Sequence, residues 1–228
     1  MGTATAIDPI NLGQKHFYRL GSVAAFVVAI GYVVIFPLYA RVGAPPNNGA
    51  AWIAYLPGKI TIWWAIVAIS VFTDFLYLPI ALALYLRLKE ISSNAMLLAS
   101  SFMGLFIVLD LSVTWSHYAS ILVLYREYAG ATTEVQRLGY LAAVDYASAV
   151  LTSHLQVVYA IVTLSLGILI ASVVMLKARF GRVTAWLGLL TGFSGIASLT
   201  GLSAATIGNA LFATAWLFFV GYRLHRAH

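Results

Sequence analysis

The sequence predicts an all-α polytopic membrane protein: six transmembrane helices in one bundle, both termini cytoplasmic, plus an outer interfacial helix. Three observations predict it. Six long apolar runs are divided by short polar links. The 228 residues are 62% hydrophobic and only 9% charged, far from the balance of a soluble domain. Lysines and arginines gather in alternate links. A hydrocarbon core about 30 Å thick needs roughly 20 apolar residues of helix to cross it, and every run meets or nearly meets that length.

Residues 1–16 read as a mobile tail. Met1-Gly2 opens like a myristoylation site, but Ala6 stands where Ser or Thr is required. The first span, 17–39, is too long for a signal-peptide core and lacks a small-x-small exit, so it is a retained anchor. The link that follows holds Pro45-Pro46-Asn47-Asn48-Gly49, which is turn chemistry. The second span, 62–86, opens with Trp63 and Trp64 as interfacial belt residues. It contains Pro79, which predicts a kink and frees the carbonyl of Phe75.

A short basic link leads to the third span, 96–124. Thr133-x-x-Gln136 and Ser153-x-x-Gln156 then have the form of capping boxes. The first predicts a helix over 134–150, too polar to span, lying on the outer face as a partial lid. Tyr140 and Tyr146 suit an interfacial position. Spans four, five and six follow at 155–176, 183–199 and 206–224, completing one transmembrane domain over 17–226. Span five carries Gly188-x-x-x-Gly192 and then Gly195, small residues at the spacing that lets two helix backbones approach. Packing within the chain is predicted there ahead of a dimer interface.

The charges orient the chain. Lys15, Arg19, Arg87, Lys89, Lys177, Arg179, Arg182, Arg223 and Arg226 fall on one side; Arg41, Lys59, Arg126 and Arg137 fall on the other. Cytoplasmic loops carry the excess of Lys and Arg, so both ends are predicted to be cytoplasmic. The net charge of +6 thus reports topology and not nucleic-acid binding. With no cysteine, disulfides and thiolate chemistry are excluded. The sequence has no phosphate loop, dinucleotide fingerprint or G-x-S-x-G nucleophile, and span six has no lysine for a retinal Schiff base. Three spans per half would make any repeat inverted, but the acids of spans two and three have no counterparts in spans five and six.

The chemistry gathers in the middle of the bundle. Asp74 and Asp110 lie mid-way along consecutive, oppositely directed spans, so they are expected at similar depth. An acid there costs a few kcal/mol or more unless it faces protein or water. Brought close, the two carboxyls would share a proton, which suits a proton relay or a cation site; alternatively each is a polar clasp to a neighbouring helix. His117 is expected two turns beyond Asp110 on the same face, with Thr114 and Tyr118 near it. Asp145 and His154 are placed at the outer entrance, so a polar line runs inward through His117 and Asp110 to Asp74. Asn209 lines the same interior or makes an interhelical hydrogen bond. His117 and His154 could ligate a haem or a metal, but neither His-x-x-x-His nor a carboxylate cluster supports this, and no cofactor is predicted.

Asp74-Phe75-Leu76-Tyr77-Leu78-Pro79, the basic link after it, and Lys177-x-Arg179-Phe180-Gly181-Arg182 ahead of Leu187-Gly188-Leu189-Leu190-Thr191-Gly192 form a pattern. Over about residues 19–226 it resembles a widespread family of small bacterial six-helix membrane proteins whose function is not established. The resemblance implies this fold and a bacterial inner membrane, and no activity or site. Three functions are therefore carried forward. The first is small-solute or proton-linked transport or ligand binding through the carboxylate pair. The second is a non-catalytic accessory subunit in a homo-oligomer or a larger membrane complex. The third is a haem or metal enzyme. The lipid bilayer is the one partner implied in every case.

Overall fold

The computed structural model describes residues 9–178 and 180–226. Within them every regular element is a helix and none is a strand. Helix α1 runs Pro9–Val42, α2 Gly49–Tyr55 and α3 Ile60–Leu109. A π-helical turn, Asp110–Trp115, leads into α4, Ser116–Gly130. Next come α5, Glu134–Leu151, and the single turn α6, His154–Val157. A second π-helical turn, Val158–Val162, leads into α7, Thr163–Lys177. Helix α8 is Arg182–Ala197, and a 3-10 turn, Ser198–Thr200, precedes α9, Ser203–His225.

Five helical stretches are long and apolar enough to cross a membrane, which marks a membrane protein. They are 13–42, 60–130, 154–177, 182–200 and 203–225, and the second is 71 residues long. That stretch is broken once, at Ser92, where the backbone turns extended (φ −160°, ψ 93°). Contacts across the break close toward it in step. Trp63 stacks on Tyr118, Tyr77 meets Phe106 edge-on, and Ser100 Oγ donates to the Ala81 carbonyl. The stretch is therefore a hairpin with arms 60–91 and 93–130.

The backbone leaves helical geometry at Ser92, while Pro79 keeps helical φ/ψ inside the first arm. Proline loses one intrahelical hydrogen bond but keeps a φ suited to the helix. Ser92 lies in the short polar link between two apolar runs, where the chain must turn back.

Close backbone approaches align the neighbours. A Cβ on Gly21 would clash with Ala83 and sit 3.1 Å from the Pro79 carbonyl, and one on Gly31 would lie 2.7 Å from Thr73, so α1 runs against the first arm. A Cβ on Gly167 would lie 2.9 Å from the Ala99 carbonyl, which sets α7 against the second arm. Gly188 and Gly195 sit against Ser172 and Ser165 of α7 and against Trp216 and Asn209 of α9, and Gly192 sits against Leu169. Ser22 Oγ donates to the Gly221 carbonyl at 2.8 Å, joining α9 back to α1. Each pairing runs antiparallel. The three glycines of α8 thus serve contacts inside the chain.

The polarity is that of a lipid-facing structure. Phe72, Phe75, Leu78 and Leu82 are exposed on the first arm, while Ser70, Thr73 and Asp74 are buried. Between helices in lipid there is little hydrophobic gain, so close packing and interhelical hydrogen bonds carry the association. A second apolar cluster, around Trp52, Trp63, Ile121 and Val144, gathers α2 and α5 onto the open end of the hairpin. The arm 93–130 is roughly 55 Å long at 1.5 Å per residue, and α5 packs back against its last turns.

Helix α5 covers the stretch 134–150 expected to be helical. Thr133 Oγ1 accepts from the Gln136 N–H at 3.2 Å, and the Gln136 side chain caps the Thr133 N–H in return. At the next motif only half of the box forms: Ser153 Oγ accepts from the Gln156 N–H, while the Gln156 side chain turns inward. Within the expected tail, 1–16, the described residues from Pro9 onward already belong to α1. Met1, Gly2, Ala6 and Arg179 lie outside the described residues.

Candidate functional site

Asp74 and Asp110 are drawn together by the hairpin. Both are nearly sealed from solvent, at 3% and 4% exposure, and they lie within hydrogen-bonding reach of one another. The indole N–H of Trp115 serves both. Nε1 donates to Asp74 Oδ2 at 2.8 Å and to Asp110 Oδ2 at 3.1 Å. The Thr114 hydroxyl also meets the Asp110 carboxyl, whose Oδ1 is sealed inside the protein.

The π-turn makes this geometry possible. An i→i+5 turn holds one more residue than an α turn, and one residue at 3.6 per turn rotates everything after it by about 100°. Trp115 is thereby swung to the face of Asp110. Farther along, Tyr118 takes the position on the Asp110 face that an unbroken helix would have given to His117. His117 is displaced and packs against Tyr146 at 6.1 Å between ring centres. Its Nδ1 donates to the Val113 carbonyl at 2.6 Å, since a carbonyl can only accept. The expected line from His117 to Asp110 is broken by this rotation.

A cavity of about 480 Å³ opens beside the pair. Its walls come from the second half of α1, both π-turns and the starts of α7 and α9, with Asp110, Thr114, Trp115 and Tyr118 on one side and Tyr32 and Asn209 on others. Among the described residues lining it, none is Lys, Arg or His. Toward Ser92 it ends where the Tyr32 and Tyr77 hydroxyls meet at 2.9 Å and Tyr77 packs on Phe106. The two π-turns face each other across it, bridged by Gln156 Nε2 donating to Thr114 Oγ1 at 3.3 Å.

Asn209 both lines the cavity and ties three helices. Its Nδ2 donates to Ser165 Oγ at 3.0 Å and to the Thr191 carbonyl at 2.8 Å. Such links within lipid average about 0.6 kcal/mol, reaching about 1.7.

Asp145 is placed elsewhere. Its Oδ1 accepts from the Gly49 N–H at 2.8 Å, so it fastens α2 to α5, where a Cβ on Gly49 would jam against the α5 backbone. His154 is exposed at the first position of α6, and no contact joining it to His117 is recorded. Among the described residues no group of three or more His, Asp or Glu side chains could hold a metal.

Sequence reasoning missed Trp115, Tyr118 as a principal wall, and Gln156 as the bridge. A π-turn has no sequence signature, and its rotation decides which residues of the third span face inward. No family model, curated protein or solved structure matches the chain.

Proposed function

We propose that this protein crosses a bacterial inner membrane six times, with both ends cytoplasmic, and binds a small solute or moves protons through the Asp74–Asp110 pair. The two arms of the hairpin count as separate crossings in this reading. Support for the orientation is the excess of Lys and Arg at the Ser92 end. The bacterial assignment rests on the family resemblance alone.

One observation carries the functional reading: two buried acids lie together under one shared indole donor, and one of them, Asp110, forms part of a cavity wall. Buried acids in membrane proteins mark ion pathways and relays, and π-turns recur at functional sites. The glycines that an accessory subunit would use as contacts face α7 and α9 instead.

The test is reconstitution into proteoliposomes with a pH-sensitive dye inside. Asp74→Asn and Asp110→Asn should each abolish pH-linked flux or ligand binding while the protein stays folded. Full activity in both variants would remove the pair from function and restore the structural clasp.

A further inference from the structure

The cavity's chemistry narrows what it would hold. Its walls are mainly apolar, with the rings of Tyr32, Tyr39, Trp115 and Tyr118 around it and Asp110 as the acid on its surface. Aromatic faces attract cations through the ring quadrupole, more strongly where water is excluded. Among the described lining residues none is basic, so a negative charge on Asp110 would meet no counter-charge in the wall. The volume, about 480 Å³, lies in the range of pockets for drug-sized molecules, roughly 300–1,000 Å³.

A divalent metal cation fits poorly. It would ask for several oxygen ligands, and no suitable acid cluster exists among the described residues. A neutral apolar molecule would fill the walls but bring nothing to the acid that lines them, Asp110. An anion would face the acids directly.

We infer that the cavity is a binding site for an organic monocation, a protonated amine with an aromatic or apolar body, whose N–H donates to Asp110 while its body lies among Tyr32, Tyr39 and Tyr118. Thr114 and Asn209 offer further polar atoms at its margin. This inference rests on the proposed function and names the ligand class of the same site.

The probe pair is dibenzylamine, charged at pH 7, and dibenzyl ether, its neutral counterpart, measured by equilibrium dialysis on the full chain in mild detergent. The amine should bind more than about tenfold tighter than the ether, a gap of at least about 1.4 kcal/mol. Asp110→Asn should reduce the amine to the level of the ether. Ala210→Leu, which fills the cavity and leaves both acids in place, should weaken the amine as well. Equal binding of amine and ether, or undiminished amine binding in Asp110→Asn, would overturn the inference. If Asp110→Asn does not fold, unchanged binding in Ala210→Leu overturns it. Absence of amine binding, with proton-linked flux still lost in the Asp→Asn variants, would overturn the cation site and leave the proposed function standing. Loss of neither would overturn both.

Discussion

Trp115 reaches across the hairpin to Asp74, its Nε1 standing 2.8 Å from Oδ2, while it also donates to Asp110 on its own helix. One indole N–H thus holds both acids in place. Trp115→Phe keeps the ring and removes the donor. Losing a hydrogen bond to a buried polar partner costs about 1–3 kcal/mol, so the thermal midpoint in detergent should fall. Trp115→Phe combined with Asp74→Asn should cost less than the sum of the two, because the donor has then lost one of its partners. Strict additivity in unfolding measurements would show that the indole acts through packing alone.

Topology can be read by thiol labelling, because the natural chain has no cysteine. Ser93 and Asn47 are both exposed, one beside the break and one in the link before α2. In intact cells, Asn47→Cys should react with a membrane-impermeant maleimide and Ser93→Cys only after lysis. Reaction of both in intact cells would refute the orientation drawn from the charges.

Gly188 faces Ser172 and Trp216, and an added methyl would collide with the serine hydroxyl and lie 2.7 Å from Trp216 Nε1. Gly188→Ala should destabilise by about 1–3 kcal/mol, the usual scale for overpacking. Adding Ser172→Ala should recover part of the loss, seen as a partial return of the thermal midpoint. No loss in the single variant would mean that α8 can shift away from α7.

The box at the start of α5 is separate from the cavity. Thr133→Ala removes a cap worth about 1 kcal/mol. Hydrogen exchange should quicken in the first turn of α5, and probe binding should stay as it was. A change in binding would tie α5 to the cavity.

Helix positions were legible because lipid imposes a length and a composition on each crossing. The capping box at Thr133 was legible because it is local: four residues contain both halves. Proximity of Asp74 and Asp110 followed from depth and connectivity. Rotation about the helix axis was not legible past Asp110, because one extra residue in a turn re-aims every side chain that follows. That is why Tyr118 and not His117 lines the cavity. The partner of Asp145 was not legible for another reason: it is a backbone N–H at Gly49, distant in sequence, which no side-chain pattern announces.

The hydroxyl pair of Tyr32 and Tyr77 stops the cavity on the side toward Ser92. A solute held in this shape has no exit past these hydroxyls, so a receptor could work in this one shape, whereas a carrier would need a second. In that second shape the tyrosines would part and Phe106 would withdraw from Tyr77. Linking α1 covalently to the first arm at this depth would therefore stop a carrier and leave a receptor able to bind.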